Sequence, residues 1–258
     1  MRIVTWNVNS LKARLPRVLD WVETMDPDVL CIQETKLAED AFPSDSFAKL
    51  GYESIHHGQG QWNGVAIISK VGIDDPVSGF SDGGAPDPDA RIIWATCGGL
   101  RVASAYIPNG REVGHDHYIY KLDWLGRLRS HLDENHSPKE DVLILGDFNV
   151  APEDRDVWSA KAFKGATHVS QPERNAYQEV LDWGLQDTFR NHYPEEDGLY
   201  TFWDYRQGSF YKRYGMRIDF ILASKSLANQ CTLALVDRNA RKGEKPSDHA
   251  PLLADFQR

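Results

Sequence analysis

The stretch "DVLILGDFN", residues 141–149, decides the fold, because four consecutive aliphatic residues are followed at once by glycine, a carboxylate and a carboxamide. A continuous apolar run of this kind is typical of a strand that is buried on both faces. Gly146 is expected to let the backbone turn, so that Asp147 and Asn149 lie at the exit of the strand. Gly-Asp also ends many inert strands in simple turns. The stretch therefore predicts a buried central strand whose end is a candidate for chemistry.

Other strand-like segments recur along the chain, and helices with one apolar face lie between them. The predicted strands cover residues 2–8, 29–34, 64–70, 91–96, 102–107, 142–147, 217–223 and 232–236, with a short one after His249. One helix is expected to begin near Pro16, since proline is tolerated in the first turn of a helix. Two more are predicted over residues 118–132 and from Ser170 to Gly184. Residues 74–89, rich in Gly, Pro and Asp, are expected to form a surface loop.

This order of elements predicts an α/β protein in which residues 1–258 form one layered domain, with sheets at its centre and helices outside. A hydrophobic content of 41% is sufficient for a substantial core. Neither a long apolar run nor a signal peptide is seen before "RIVTWNV", so a cytoplasmic location is expected. Cys31, Cys97 and Cys231 are isolated from one another, which favours reduced thiols over disulfides or a zinc site.

Oxygen-bearing side chains also follow the first two predicted strands. Asn7 and Asn9 come after the first strand, and Glu34 comes after the second. Hard divalent ions such as Mg²⁺ take carboxylates, carboxamides and water as ligands. Such a cation would offset the formal net charge of −9 at the point where a phosphate approaches. Taken singly, these residues are equally typical of turn caps and surface loops.

The C-terminal part of the chain offers a carboxylate and an imidazole. Asp219 lies in "RIDFILAS" among apolar neighbours, where an ionised carboxylate needs a cationic or hydrogen-bonding partner. His249 in "KPSDHAPL" is a candidate partner, and an Asp–His pair can hold an imidazolium beside a phosphate oxygen. The alternative is a core histidine bonded to a backbone carbonyl, with Asp248 as a turn residue.

An aromatic and basic segment spans residues 199–220. It contains Tyr200, Phe202, Trp203, Tyr205, Phe210, Tyr211 and Tyr214, interleaved with Arg206, Lys212, Arg213 and Arg217. Such mixtures stack on sugars and bases while binding phosphates. Aromatic packing between strands is the stronger explanation of the rings alone, but the four interleaved cations favour binding. A basic rim could be extended by Arg111, Lys121, Arg241, Lys242 and Lys245.

Read in order, short motifs along the whole chain resemble those of the exonuclease III family of DNA-repair nucleases. They are "WNVNSLKAR", "IQETK", "GVAIISK", "YIPNG", "GDFNVAP", "PER", "DTFR", "YTFWDYR", "RIDFILAS" and "KPSDHAPL". The resemblance implies a four-layer α-β-β-α sandwich of the DNase I-like kind, with two packed mixed sheets flanked by helices. It also implies a hydrolase of phosphodiester bonds that uses Mg²⁺, with Mn²⁺ as a substitute.

The same resemblance implies roles for individual residues. Glu34 would be the principal metal ligand, aided by Asn7 and Asp248. Asp147 would orient or deprotonate the attacking water, while Asn149 and His249 would bind the scissile phosphate. Asp219 would pair with His249, and Tyr106 and Asn109 would approach the phosphate or the departing oxygen.

Substrate selection is implied by further positions. Phe202, Met216 and Ile218 would form a pocket for a flipped abasic sugar, and Trp203 and Arg206 would also bind the substrate. His168 stands where a smaller residue is common in strong abasic-site endonucleases, so trimming of 3′ ends could rival internal incision. The expected partner is double-stranded DNA with abasic sites or damaged 3′ ends, bound by a monomer away from membranes. A phosphatase of phosphoinositides or other phosphoesters on the same fold is the alternative.

Overall fold

The computed structural model describes residues 1–258 and contains twelve strands and seven α-helices. The strands are β1 (Arg2–Asn7), β2 (Val29–Gln33), β3 (Glu53–His57), β4 (Val65–Ser69), β5 (Asp74–Ser78), β6 (Ile92–Cys97), β7 (Leu100–Tyr106), β8 (Val142–Asp147), β9 (Leu185–Asp187), β10 (Asp219–Ser224), β11 (Cys231–Val236) and β12 (Leu252–Phe256). The helices are α1 (Leu11–Met25), α2 (Ser44–Ala48), α3 (Asp116–Asn135), α4 (Gln171–Leu181), α5 (Thr188–His192), α6 (Ser209–Lys212) and α7 (Lys225–Ala228). None of these helices combines the length and apolar character that a bilayer crossing requires.

The strands form two six-stranded mixed sheets. The first has the order β11-β12-β1-β2-β4-β3 and the second β5-β6-β7-β8-β10-β9. Only the β1–β2 and β7–β8 pairs are parallel among the ladders of these sheets. The predicted four-layer sandwich is confirmed, because one apolar cluster lies between the sheets and two others join their outer faces to helices.

The apolar run of β8 follows directly from this layering. Leu143 and Leu145 belong to the cluster between the sheets, whereas Val142 and Ile144 pack with α3 and α4 on the outer face. A strand covered on both faces needs apolar residues at every position rather than at alternate ones. The burial of each Val, Leu or Ile side chain in these clusters contributes roughly 1.5–3 kcal/mol.

Gly146 has a different role from the expected turn. It lies inside β8, and a Cβ atom at this position would come within 1.8 Å of the backbone oxygen of Ala105 on β7. Glycine therefore permits close approach of two parallel strands, and the chain turns only after Asp147.

Two boundary predictions were wrong. Helix α1 begins at Leu11, so Pro16 lies inside it rather than in its first turn. Burial of Leu11, Val18 and Val22 against the first sheet outweighs the roughly 3 kcal/mol that an interior proline costs. Residues 74–89 are not all loop, because Asp74–Ser78 form the exposed edge strand β5. The Ser170 start of α4 is confirmed, with its hydroxyl accepting from the Glu173 amide.

The register of the strands places the site residues in two rows, one in each sheet. Asp147 on β8 lies beside Tyr106 on β7 and opposite Asp219 on β10. In the other sheet, Asn7 pairs with Gln33, so Glu34 emerges next to Asn7. The two rows meet where β1 and β8 face each other across the sandwich.

Candidate active site

A buried carboxylate–imidazole row lies at the shared edge of the two sheets. His249 Nδ1 donates to Asp219 Oδ2 at 2.8 Å, and its Nε2 lies 3.7 Å from Asp147 Oδ2. All three side chains are almost fully buried. The segment before β12 holds His249 in place, since its amide donates to Ser247 Oγ and its carbonyl accepts from Trp6 Nε1. The expected Asp219–His249 contact is therefore present in the structure.

Charges in this row shift the protonation of its members. Burial disfavours the imidazolium of His249, but the Asp219 and Asp147 carboxylates outweigh burial and raise its pKa to about 10. Burial raises the pKa of Asp147, the charge of His249 lowers it, and repulsion by Asp219 and Glu34 raises it again, to about 7. The row thus combines a cationic donor with a carboxylate that exchanges a proton near neutral pH.

Asn7 connects this row to Glu34. Its amide nitrogen donates to Glu34 Oε1 at 2.8 Å and to Asp147 Oδ2 at 2.9 Å. Lys36 Nζ lies 2.9 Å from Glu34 Oε2 and donates to Asn9 Oδ1 at 2.6 Å. Burial raises the pKa of Glu34, but the charge of Lys36 and the Asn7 bond outweigh it and hold the pKa below its ordinary value. Glu34 is therefore an ionised carboxylate.

Asp248 completes the acidic side of the site through Asn9. Its Oδ1 accepts from Asn9 Nδ2 at 3.1 Å, and Asn9 in turn contacts Lys36. The Lys36 ammonium thus lies among the oxygens of Glu34 and Asn9, and Asn9 is hydrogen-bonded to Asp248. These oxygens suit a hard divalent cation, and the ammonium shows that positive charge is favoured there.

A second set of ligand atoms, from Asp147, Asp219 and His249, lies within 4.8 Å of one another. Asp219 Oδ1 is buried and has no hydrogen-bond partner. An imidazolium, however, has no lone pair to offer a metal, and Nδ1 of His249 is already bound to Asp219. The Glu34 side therefore fits a cation better than the His249 side.

Asn149 is held by three neighbours on the other flank of Asp147. Its backbone amide donates to Asp147 Oδ1 at 2.9 Å, and its side-chain nitrogen donates to the Ile107 carbonyl at 3.0 Å. Its Oδ1 accepts from Asn109 Nδ2 at 3.1 Å and lies 3.0 Å from His168 Nε2. The second hydrogen of the Asn149 amide has no acceptor among these contacts, so it is available to a ligand.

His168 is buried rather than projecting into an open channel. Burial and the nearby Lys121 charge lower the pKa of its imidazole to about 3, so the ring is neutral. A neutral ring with hydrogen on Nε2 donates to Asn149 Oδ1. In the structure, His168 is therefore a positioning contact for Asn149.

Tyr106 and the predicted apolar pocket border the same row. Burial, together with Glu34 and Asp147, raises the pKa of Tyr106 well above its ordinary value, so it keeps its proton. Phe202 pairs with Met216 and with His249 through isolated bridges, and its ring lies 4.9 Å from the imidazole. Met216 and Ile218 belong to one small apolar cluster that Phe202 contacts. The structure thus brings these three side chains together beside His249.

Several residues expected to bind substrate or to form the basic rim are not free to do so. Trp203 is 1% exposed, and Arg206 is exposed but bound to Asp204. The pattern of aromatic and basic residues in the sequence does not distinguish a buried ring or a paired cation from free ones. Three basic residues of the rim and of the aromatic segment are buried instead. Lys121 is paired with Glu173, and Arg217 is paired with Asp156 and Asp187. Arg241 donates to the carbonyls of Ser247 and Trp203.

The backbone around the site is held in an uncommon conformation. Glu34, Lys36, Asn149 and His168 all have positive φ, at 53°, 52°, 51° and 76°. Such strain concentrates at functional sites in proteins. Sequence reasoning missed the role of Lys36, although its position two residues after Glu34 in "IQETK" was a usable signal.

The layered sandwich and the candidate active site at the shared edge of its two sheets together define a hydrolase of phosphoesters. The chain belongs to the endonuclease/exonuclease/phosphatase family, whose model matches residues 4–249. It is 34% identical to exodeoxyribonuclease III of Haemophilus influenzae over the full length of both chains. It is 31% identical to an exodeoxyribonuclease of Bacillus subtilis, with 98% of each chain covered.

Solved structures show the same similarity. The fold matches that of an AP endonuclease from Archaeoglobus fulgidus with a TM-score of 0.97 and 38% identity, over the whole of both chains. A 3′ phosphatase from Neisseria, bound to a product DNA hairpin, matches with a TM-score of 0.95 and 38% identity over the whole of both chains. The predicted exonuclease III resemblance and the predicted DNA-repair hydrolase of phosphodiester bonds are confirmed by these similarities.

Proposed function

We propose that this chain cuts the backbone of double-stranded DNA at abasic sites, leaving a 3′-hydroxyl, and that it also trims and unblocks 3′ ends. The observation that carries the proposal is that two hydrogen bonds hold the Asp147 carboxylate in place beside the His249–Asp219 pair. The names of the relatives support it, since they include an exodeoxyribonuclease III, an AP endonuclease and a 3′ phosphatase.

In this proposal Asp147 takes the proton of the attacking water. A general base works best when its pKa lies near the working pH, and Asp147 meets that condition. Its two hydrogen bonds, from Asn7 and from the Asn149 amide, fix the direction of its lone pairs. Orientation of this kind lowers the barrier, because the entropy of aligning the base with the water is lost before the reaction begins.

His249 and Asn149 stabilise the negative charge that develops on the phosphoryl group. The imidazolium keeps its hydrogen on Nε2 on one flank of Asp147, and the Asn149 amide keeps a free N–H on the other flank. Donors fixed in a buried site need no reorganisation during the reaction. Tyr106 stays protonated and donates to the departing oxygen, with Asn109 holding the Asn149 amide.

The residues that would hold Mg²⁺ are Glu34, Asn7 and Asp248, and Mn²⁺ would substitute for it. The bound cation would act as a Lewis acid on the phosphate and lower the charge repulsion between substrate and site. The position of Lys36 supports this assignment, because its ammonium already neutralises Glu34. Lys36 would then move aside or share Glu34 with the metal.

Phe202, Met216 and Ile218 lie together beside His249, and the pocket that they would form would admit a sugar that has lost its base but would be too small for a base. His168 would tune this selection through Asn149, and trimming of 3′ ends would rival internal incision. We also propose that residues 1–258 act as one catalytic domain and as a monomer. A cytoplasmic location is supported by three free cysteines.

The test uses a duplex with one abasic analogue, incubated with Mg²⁺ or with EDTA. The expected result is a nick with a 3′-hydroxyl in the presence of Mg²⁺ only. Glu34→Gln should lose at least about 10²-fold in rate and should need more Mg²⁺ for half-maximal rate. Glu140→Gln, on an exposed loop, is the matched control.

Two results would contradict the proposal. One is full activity in EDTA, which would show that the reaction needs no divalent metal. The other is hydrolysis of an inositol phosphate without any nicking of DNA, which would favour the phosphatase alternative.

A further inference from the structure

A basic pocket with no carboxylate in its lining lies next to the candidate active site. Its volume is about 420 Å³, and six residues line it. They are Phe210, Tyr211, Arg213, Arg238, Asn239 and Lys242. Three cations therefore share one pocket in a chain whose formal net charge is −9. The local potential is positive although the protein as a whole is acidic.

The arginines of this pocket are not used in ion pairs. No carboxylate lies within ion-pair distance of Arg213 or Arg238, and both side chains are exposed to solvent. Arg238 lies over the rings of Trp203 and Phe210, at 5.3 Å and 5.4 Å, so its guanidinium is oriented without being neutralised.

Two acids close to the pocket in sequence are bound by other groups. Asp237 accepts from the Trp21 indole and from the Asn239 amide, at 2.9 Å and 3.0 Å. Asp204 is bound by Arg206. Positive charge in the pocket is therefore free to meet an anion.

Tyr211 adds an aromatic surface to the pocket. Its side chain is 90% exposed, so the ring is open to a ligand. The turn that carries it is fixed rather than loose: Ser209 Oγ donates to the Arg206 carbonyl, and the Tyr214 amide donates to the Ser209 carbonyl. Gly208 and Arg213 on either side adopt left-handed conformations, with φ of 66° and 60°.

The pocket is tied to the active site through Trp203. The Trp203 ring packs edge-on against Phe210, and its amide donates to the carbonyl of Asp248 at 2.9 Å. Arg241 then joins the Trp203 carbonyl to that of Ser247. A strand held in the pocket would therefore lie beside the DNA that occupies the site.

We propose that this pocket binds an unpaired segment of the substrate strand, with phosphates on Arg213, Arg238 and Lys242 and a base stacked on Tyr211. The proposal rests on the proposed function, since it assumes that the main ligand is DNA. A duplex keeps the faces of its bases stacked on one another, so an exposed ring gains little from it. An unpaired base has a free face, and its backbone phosphates match the three cations.

The experiment measures dissociation constants by fluorescence anisotropy in EDTA, where no turnover occurs. Three labelled DNAs are compared: a blunt duplex, and the same duplex with a short unpaired 5′ or 3′ extension. The wild-type protein should bind at least one extended duplex at least about fivefold more tightly than the blunt one, the lower end of what stacking of one base supplies. The two extensions reveal the polarity of the bound strand.

Matched variants assign the effect to the pocket. Tyr211→Ala should abolish the preference for the extension, and Tyr211→Phe should keep it because the ring remains. The double variant Arg213→Gln/Arg238→Gln should lower the slope of log affinity against log salt by about 1.4 on the extended duplex, roughly 0.7 for each lost phosphate contact. Lys139→Gln, on a distant exposed turn, should change nothing.

Equal affinity of the wild type for blunt and extended duplexes would overturn the proposal. So would equal losses of affinity in Tyr211→Ala on both, which would mean a contact to a duplex flank. Cleavage of the blunt abasic duplex with Mg²⁺ is recorded separately for the wild type. Its absence would refute the proposed nuclease function, while the binding comparison would still decide on the pocket.

Discussion

Replacing Asp147 by asparagine keeps the shape of the side chain and removes its charge. In the wild type, Asp147 Oδ1 accepts from the Asn149 amide and Oδ2 accepts from Asn7 Nδ2, both at 2.9 Å. An asparagine can satisfy only one of these donors with its oxygen, so its NH₂ group must face the other. The variant therefore loses a general base and gains one repulsive contact between two donors.

The structure predicts that Asp147→Asn lowers the activity of the protein but raises its stability. Loss of the base should cost about 3 to 5 kcal/mol of transition-state stabilisation, or roughly 10²- to 10⁴-fold in rate. A folded-state pKa of about 7 against an ordinary 3.8 means that ionised Asp147 weakens the folded protein by about 4 kcal/mol. The contact between the introduced NH₂ group and one of these two donors costs about 1 to 3 kcal/mol. Asp147→Asn should therefore be nearly inactive and yet more stable, by about 1 to 3 kcal/mol, above pH 7.

The sign of the pH dependence follows from the raised pKa. Because the folded state binds this proton more tightly than the unfolded state, wild-type stability falls as the pH rises from about 4 to about 7. The stability gain of Asp147→Asn should therefore appear over that interval and vanish at its acid end. Urea unfolding in EDTA measures it, since a bound cation would itself stabilise the wild type.

Activity is measured as the rate of nicking at one abasic analogue in Mg²⁺. Asp133→Asn is the control, because this aspartate lies half-exposed on α3 in a surface ion pair. A near-normal rate for Asp147→Asn would refute the role of the base. A stability difference that does not change with pH would refute the argument from the raised pKa of Asp147.

Three further predictions concern residues around the site. His168→Gly removes a bond to Asn149 and should shift the ratio of 3′ trimming to abasic incision toward incision; an unchanged ratio would discard the idea. Lys121→Met leaves the buried Glu173 carboxylate without its cation and should cost about 3 to 5 kcal/mol in urea unfolding, so a loss below about 1 kcal/mol would count against this pair. Burial raises the pKa of Asp156, but Arg217 outweighs it and holds the pKa below its ordinary value. The stability from this ion pair is present above about pH 4 and lost as the pH falls further, so Asp156→Asn should differ from the wild type more at about pH 7 than at about pH 3.

Much of the fold could be predicted because burial on two faces leaves a simple pattern. The unbroken run in β8 and the single apolar faces of α3 and α4 each indicate their surroundings directly. Helix α4 also carries its own start signal, a capping box from Ser170 to Glu173. The edge strand β5 escaped prediction because all of its residues are exposed, so no apolar pattern marks it.

The candidate site could be predicted in its membership but not in its contacts. Asp147, Asp219 and His249 are recognisable as polar residues in apolar surroundings or motifs. That Asp219 lies opposite Asp147 depends on the register of β8 and β10, which local sequence does not reveal. The role of Lys36 as the counter-charge of Glu34 is likewise visible only once both side chains are placed.

The sequence by itself determined which strands are buried, where α4 begins and which residue types end the strands, because hydrophobic pattern and capping act over a few neighbouring residues. Only the tertiary structure decided which cations are free. Arg217 and Lys121 are enclosed and paired, whereas Arg213 and Arg238 remain open to a ligand. Charge pairing joins residues far apart in the chain, so its outcome depends on packing rather than on local pattern.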